Sequence, residues 1–176
     1  GGGGGGSFVW SNTDPLIIAG GGAGEDNWNA NQGDHSHGQA TEEAGYYDSS
    51  TTPGSGGVTH QCDWVGGAGA GWFSNGESVN YTTWWCNVGN GGIRPLEGGL
   101  GGDYNPCNSY SGDYSGGFGG GGGSGVHQGG GGGGYTGGEG PDGCGGAGNS
   151  AGGGGSFVAE NTELLLAESG VNEGHG

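Results

Sequence analysis

Two glycine runs limit what this chain can fold into. Residues 116–138 read GGFGGGGGSGVHQGGGGGGYTGG, and glycine makes up 57 of the 176 residues. Collagen is similarly rich in glycine, but its triple helix needs glycine at every third position, and the unbroken run at 129–134 departs from that period. The runs are therefore either a flexible linker or an ordered glycine structure of another kind.

The surroundings of these runs favour order. Flexible linkers are usually rich in serine as well as glycine, and they separate two domains. Here the runs adjoin apolar segments and contain Phe118, Tyr135 and Cys144. Fixing a glycine costs roughly 1–2 kcal/mol, so the run at 129–134 must offset about 6–12 kcal/mol if it is ordered.

A bundle of glycine helices can meet that cost. In polyglycine-II helices, with three residues per turn, backbones without Cβ atoms approach closely, and each N–H and C=O finds a partner in an adjacent chain. We therefore predict a bundle of polyglycine-II helices over 119–155, with the flexible linker as the alternative.

The two ends of the chain carry similar sequences. Residues 7–17 read SFVWSNTDPLI, and residues 156–166 read SFVAENTELLL. Each copy has an aromatic or β-branched stretch, a polar Asn-Thr turn and a second apolar stretch, which is the pattern of a β-hairpin. We predict hairpins over 7–19 and 156–167 that meet in one β-core. Because no helical periodicity occurs, we expect very little α-helix in an otherwise all-β and irregular fold.

The length of the chain suits one domain over 1–176. Between the two predicted hairpins, residues 20–60 are polar and predict a surface excursion. Residues 61–118 hold four of the six Trp and three of the four Cys, which predicts a disulfide-pinned aromatic cluster of short strands. The remaining segment, 119–155, holds the predicted glycine bundle.

The charge balance excludes some classes of partner. Arg94 is the single basic residue against 18 Asp and Glu, for a formal net charge of −17. Nucleic acids and anionic membrane surfaces are recognised through cationic side chains, so neither is expected as a partner. The negative electrostatic field of the chain favours a basic protein or divalent cations as partners, unless the acidic residues serve only to keep the protein soluble.

The cysteines predict an extracellular location. Cys62, Cys86, Cys107 and Cys144 include no C-x-x-C spacing, which disfavours a zinc ribbon or a redox motif. An even count in a chain poor in aliphatic residues predicts two disulfides, in any of three pairings, formed in an oxidising compartment. A glycosylation sequon at Asn80 agrees with secretion. The chain has no signal peptide or long apolar segment, and we expect it to be one module of a larger polypeptide.

Chemical motifs are few. Asp34, His35 and His37 could ligate zinc or copper, but no second ligand cluster accompanies them, so we predict neither a metal nor a cofactor. His60, His127 and His175 could each serve as a catalytic base. No nucleophile-elbow or Cys-His motif accompanies these histidines, and we predict no enzymatic activity.

Two further residue sets suggest binding. Acidic side chains could bind calcium, although they lack the alternating Asp/Asn loop of known calcium sites: Asp103, Asp113, Glu139 and Asp142. Three tyrosines, Tyr104, Tyr110 and Tyr114, could stack on sugar or peptide surfaces or could instead pack over the disulfides.

Taken in order, the segments GGGGGGSFVW, PLIIAGGGAG, GGFGGGGGSGVHQGGGGGGYTGG, SFV and a final EGHG resemble a known family. They are similar to the extracellular glycine-rich domain of the anaplastic lymphoma kinase and leukocyte tyrosine kinase receptors. The resemblance implies a jelly-roll-like β module whose loops include a polyglycine-helix bundle, and a surface that binds small basic proteins. Residues 20–115 share no motif with that family, so no ligand-contact residue is transferred.

Two weaker resemblances concern other glycine-bundle proteins. Phage tail-tip adhesins use polyglycine bundles to display recognition loops. Some ice-binding proteins do so too, but they need a flat face of small residues, which the scattered Trp and the strong charge argue against.

These observations predict a secreted, non-enzymatic structural or adhesive module of a surface filament or matrix component. Its expected partners are other copies or neighbouring domains of the same protein. The alternative is a receptor ectodomain or phage-type adhesin head that recognises a basic protein or a glycan through residues 20–115.

Overall fold

The computed structural model describes residues 1–25, 33–45, 51–80, 87–106, 114–144, 150–160, 162 and 169. Within these ranges the chain forms five short strands, two 3-10 helices and no α-helix. The strands are β1 (Ser7–Ser11), β2 (Asp14–Ala19), β3 (Val88–Gly89), β4 (Tyr104–Asn105) and β5 (Phe157–Val158), and the 3-10 helices are Asp34–Ser36 and Pro95–Glu97. The prediction of a mostly β, irregular fold with very little helix is confirmed. In the described part of the chain, no helix has the length and apolar character needed to cross a bilayer.

The first predicted hairpin is confirmed with its predicted bounds. β1 and β2 pair antiparallel around an Asn-Thr turn, where Asn12 takes a left-handed backbone with φ of 56°, a conformation for which Asn is enriched. Val9 pairs with Ile17 and Trp10 with Pro15, so β2 carries one extra residue at this point, a β-bulge.

The two chain ends meet in one sheet, as predicted. β5 adds to the free edge of β2, where Ile17 pairs with Val158 and Ile18 with Phe157, giving the order β1-β2-β5. The other strand of the second predicted hairpin lies outside the described residues, and that hairpin stays a prediction.

A second, two-stranded sheet lies in the Trp- and Cys-rich segment. β3 and β4 pair antiparallel, with Val88 opposite Asn105 and Gly89 opposite Tyr104. Beside it lies a small apolar cluster formed by Cys62, Val65, Val79 and Val88. The aliphatic core of the described residues is therefore small, as the composition indicated.

The interior of the molecule is mostly glycine backbone. All residues of the segment 129–134 are buried. We call this segment, with its neighbours 1–6, 20–24, 66–71, 119–123, 137–140 and 152–155, the glycine core. We call 129–134 the central segment. Consecutive N–H groups of the central segment and of Tyr135, which follows it, donate to three neighbouring segments in rotation. The pairs, donor first, are Gly130–Gly1, Gly131–Gly67, Gly132–Gly152, Gly133–Gly4, Gly134–Ala70 and Tyr135–Gly155, at 2.7–3.2 Å.

This rotation has a period of three residues. Gly130 and Gly133 both donate to the segment 1–6, and their acceptors are likewise three residues apart. A β-strand has a period of two and hydrogen-bonds to neighbours on two sides only. The hydrogen bonding of the glycine core is therefore not that of a sheet.

The carbonyl groups of the central segment bind three further neighbours. They accept hydrogen bonds, donor first, in the pairs Gly24–Gly130, Gly122–Gly131, Gly138–Gly132 and Gly21–Gly133, each at 2.8 Å. The central segment thus contacts six surrounding segments through its backbone, and these bonds satisfy the N–H groups of 130–134 and the C=O groups of 130–133.

At many glycines of the core, the close packing of these backbones leaves no space for a side chain. A Cβ atom on Gly131 would lie 2.8 Å from the backbone nitrogen of Gly69, and one on Gly138 would lie 2.9 Å from a backbone carbon of Gly153. Both distances are below those that Cβ atoms show in proteins. In the turn at 118–120, Gly119 and Gly120 have φ of 99° and 82°, which side-chain-bearing residues rarely adopt.

The glycine core also includes three segments that precede the one in which it was predicted: 1–6, 20–24 and 66–71. Within 20–60, predicted to be a surface excursion, residues 20–24 belong to the core itself. The segment 33–45 is fixed to the core by backbone hydrogen bonds, including Gln39 N–H to Gly154 at 2.8 Å and Gly45 N–H to Gly153 at 2.8 Å.

Candidate functional site

An aromatic groove lies where the glycine core meets the three-stranded sheet. Its volume is about 380 Å³, and none of its lining residues is charged. The side chains of Phe8, Trp10, Pro95 and Phe118 form its walls, and glycine backbone contributes much of the remaining surface. We call this feature the aromatic groove.

The walls of the aromatic groove differ in how firmly they are held. Trp72, which is 1% exposed, packs against Phe8 and Trp10 with ring centroids 6.3 and 6.2 Å apart. Phe118 sits on the turn at the start of the glycine run and is 79% exposed. The groove therefore has one wall supported by a buried indole and one wall open to solvent.

A second aromatic row crosses the edge of the glycine core. Tyr135 stacks on Phe157 with centroids 4.6 Å apart and meets Phe73 edge-on at 6.2 Å. Burial raises the pKa of the Tyr135 phenol, and the Glu42 carboxylate raises that pKa further. The phenol therefore stays neutral at physiological pH.

The single arginine has a structural position. Arg94 donates to the carbonyl oxygen of Phe73 at 2.9 Å and pairs with Glu97 at 2.8 Å. A hydrogen bond from Asn75 lowers the pKa of the Glu97 carboxyl, and a second one from Arg94 lowers that pKa further. The one cationic side chain of the sequence is thus engaged within the chain.

The candidate metal ligands lie on one short segment of the chain. Asp34 and His35 lie on a 3-10 helix, and His37 is its C-cap. The backbone of this segment is hydrogen-bonded to the glycine core, because the carbonyl oxygen of His35 accepts a hydrogen bond from Gly153 N–H at 2.8 Å. Among the described residues, the one group of three potential ligand side chains close together lies elsewhere, at His60, Cys62 and Cys144.

That group surrounds a disulfide. Cys62 and Cys144 are bonded, with their Cα atoms 5.7 Å apart and a sequence separation of 82 positions. The predicted use of cysteine in disulfides is confirmed for this pair. A second groove, of about 190 Å³, lies beside it and is lined by His60, Glu139 and Asp142 among others.

The other two cysteines, Cys86 and Cys107, lie outside the described residues. Of the three possible pairings, only one contains Cys62–Cys144, and it joins Cys86 to Cys107. Cys86 precedes Val88 by two residues, and Cys107 follows the strand partner of Val88 by two residues. The Cys86–Cys107 disulfide is our prediction for this pair.

The remaining predicted residues are spread over the molecule. Asn80 is exposed, and its glycosylation stays a prediction. Tyr104 and Tyr114 meet edge-on at 5.3 Å, and the Tyr104 hydroxyl donates to Asn87 Oδ1 at 2.9 Å. His127 packs edge-on against Trp64 at 5.2 Å. Three predicted residues lie outside the described ranges: Tyr110, Asp113 and His175.

Of the four acidic residues considered for calcium, Glu139 and Asp142 line the same groove. Asp103 lies in the neighbourhood of β4, where its carbonyl oxygen accepts from Asn90 N–H at 2.8 Å.

Sequence reasoning missed both grooves, because each brings together residues that are far apart in the chain. The spacing of His60 and Cys62 was the one local signal, and a turn joins the two residues, since Cys62 N–H donates to the carbonyl oxygen of His60 at 3.2 Å. Comparison with known proteins finds no match: no family model matches the chain, and no curated protein matches it.

Proposed function

We propose that this chain is a non-enzymatic structural module of a larger extracellular protein, in which the glycine core acts as a rigid spacer. The observation that carries the proposal is the three-residue rotation of hydrogen bonds around the segment 129–134. A flexible tether would leave these groups to water, whereas here they bind six neighbouring segments.

We assign the segments of the glycine core to polyglycine-II helices. Three residues per turn and hydrogen bonds to neighbours in several directions are what such helices require. The jelly-roll arrangement implied by the family resemblance stays a prediction of the same proposal, in which the three-stranded sheet is part of the β-core.

Secretion is part of the proposal. Cys62 and Cys144 form a disulfide. Disulfides persist in oxidising compartments and are rare in the cytosol. The exposed Asn80 is compatible with glycan attachment in such a compartment. The expected partners of a structural module are further copies or neighbouring domains of the same protein.

A second candidate function is recognition of a basic protein or a glycan. The aromatic groove supports it, because exposed aromatic rings next to glycine backbone offer flat apolar surfaces for a sugar ring or an aliphatic side chain. The net charge of −17 would attract a cationic partner over long range.

Amide hydrogen exchange tests the rigid spacer. We expect the amides of 130–134 to exchange at least about 100-fold more slowly than those of an unstructured peptide of the same sequence, because opening them requires the core to separate. Exchange at the rate of an unstructured peptide would contradict the proposal.

Sedimentation at increasing concentration separates the two candidate functions. A module that joins copies of itself should associate as concentration rises, at any moderate salt. A recognition module should stay monomeric and bind a basic protein such as lysozyme, with an affinity that falls as salt screens the charges.

A further inference from the structure

A histidine lies beside the disulfide that links the small apolar cluster to the glycine-rich segment. The imidazole of His60 and the sulfur atoms of Cys62 and Cys144 offer ligand atoms that all lie within 4.8 Å of one another. His60 and Cys144 are exposed, whereas Cys62 is 9% exposed. Two of the three residues thus lie at the surface, whereas Cys62 lies in the interior.

Hydrogen bonds position the two cysteine-bearing segments without help from the disulfide. Gly140 N–H donates to the carbonyl oxygen of Val58 at 2.8 Å, directly joining the segments that lead to Cys144 and Cys62. Thr59 is fixed on two sides, since its N–H donates to Glu77 Oε2 at 2.9 Å and its hydroxyl to Gly66 O at 2.7 Å. These contacts would keep both cysteines near His60 after the S–S bond is broken.

We propose that reduction of the Cys62–Cys144 disulfide by a dithiol converts this cluster into a zinc site, with the two thiolates and the His60 imidazole as ligands. The dithiol supplies two electrons and two protons and becomes a disulfide itself, while the protein S–S bond breaks to give two thiols. Zinc then displaces the two thiol protons to solvent.

The geometry suits zinc. With Zn–S of about 2.3 Å and Zn–N of about 2.0 Å, a tetrahedral site places its ligand atoms about 3.5–3.8 Å apart. That separation lies inside the 4.8 Å envelope of the cluster. The two sulfur atoms need only move apart from bonding distance, and the fourth position is open to water or a carboxylate.

The surroundings favour a cation. Glu139 and Asp142 line the groove next to His60, and their carboxylates lower the electrostatic cost of bringing a divalent ion there. Because Cys144 is the exposed residue of the disulfide, we expect a reductant thiolate to attack its sulfur. Zinc would then replace the covalent link, joining the same two segments when the disulfide is open.

Protection of thiols from alkylation tests the site in the whole chain. Protein reduced with a phosphine and desalted without oxygen is treated with iodoacetamide, with and without zinc, and each cysteine is quantified by peptide mapping. We expect zinc to slow alkylation of Cys62 and Cys144 at least tenfold, because a metal-bound thiolate is a poor nucleophile. Peptide mapping reads Cys86 and Cys107 separately, so zinc bound at those thiols is not mistaken for this site.

A matched pair of variants identifies the third ligand. His60→Ala should weaken the protection at least tenfold, and His127→Ala, which removes a histidine packed on Trp64, should leave it unchanged. Cobalt added to the reduced protein should give a thiolate-to-metal charge-transfer band that the oxidised protein lacks.

Three results would overturn the proposal. The first is alkylation of Cys62 and Cys144 at the same rate with and without zinc. The second is equal protection in His60→Ala and the parent protein. The third is loss of the fold on reduction, seen as full amide exchange in 130–134, because the site needs both segments in place.

Discussion

The glycine core and the three-stranded sheet reverse the usual arrangement of a protein interior. The segment 129–134 has no side chains and is buried, whereas the apolar strands beside it face solvent over much of their surface. In the hairpin, Val9 is 54% exposed, Trp10 is 46% exposed and Ile17 is 42% exposed. What this molecule buries is chiefly its backbone.

The difference shows that hydrogen-bond completeness can replace apolar area as the condition for burial. Burial of an aliphatic side chain stabilises the folded state in proportion to the apolar surface that is removed from water. A buried glycine segment gains little in that way and must pair each polar group, since each buried group left unpaired costs about 1–3 kcal/mol. The glycine core is therefore stable only when its neighbours are all present.

We expect the largest loss in the free energy of unfolding when the Cys62–Cys144 disulfide, which links the apolar cluster to the glycine-rich segment, is removed. Cys62 belongs to the apolar cluster, and Cys144 lies within the glycine-rich segment 119–155. The double change Cys62→Ala and Cys144→Ala should lower the free energy of unfolding by about 4 kcal/mol, because the disulfide closes a long loop in the unfolded chain. Urea denaturation measures this loss.

The other cysteine pair gives the matched control. If Cys86 and Cys107 are bonded to each other, their removal opens a shorter loop and should cost about 3 kcal/mol. Non-reducing peptide mapping checks the pairing, and finding either of these cysteines bonded to Cys62 or Cys144 would contradict both the structure and the estimate.

We expect a smaller loss in the free energy of unfolding when one glycine inside the glycine core is replaced by alanine. A Cβ atom on Gly132 would lie 2.9 Å from the backbone nitrogen of Gly154 and closer still to Gly21, so neither neighbour can yield without losing hydrogen bonds. Gly132→Ala should therefore cost about 2–3 kcal/mol, measured by chemical denaturation.

Gly22 provides the control for that variant, because a Cβ atom there first meets an oxygen of Ser36 at 3.4 Å, an ordinary contact. Gly22→Ala should be neutral or stabilise by up to about 1 kcal/mol, since alanine restricts the unfolded chain. Equal losses in the two variants would mean that the core does not depend on close backbone packing.

The smallest effect is expected at the exposed aromatic ring. Phe118 is 79% exposed, so Phe118→Ser should change the free energy of unfolding by less than about 0.5 kcal/mol. A loss of more than about 1.5 kcal/mol in thermal or chemical denaturation would show that Phe118 supports the fold as well as the aromatic groove.

Local sequence signals predicted the parts of the fold that depend on neighbours in the chain. The aromatic and β-branched stretch, the Asn-Thr turn and the second apolar stretch gave the bounds of the hairpin 7–19, and the repeated SFV motif indicated that the ends meet. The polyglycine runs indicated an ordered backbone, because Tyr135 and Cys144 occur where a linker would have serine.

The partners of each segment could not be predicted in the same way. Glycines carry no side chain to mark a face, so nothing in the run 129–134 indicates that Gly131 binds Gly67 and Gly132 binds Gly152. The choice of Cys144 as the partner of Cys62 depends on the same long-range arrangement. The His60 cluster was missed for this reason, although the Asp34, His35 and His37 motif, which is local, was found.

The three-residue rotation of hydrogen bonds has a consequence for how such a chain can change in length. Inserting one residue in 129–134 would turn every following amide towards a different neighbour, whereas inserting three would restore the original directions after one extra turn. Length variation in this part of the sequence should therefore be tolerated in steps of three, much as a reading frame tolerates whole codons.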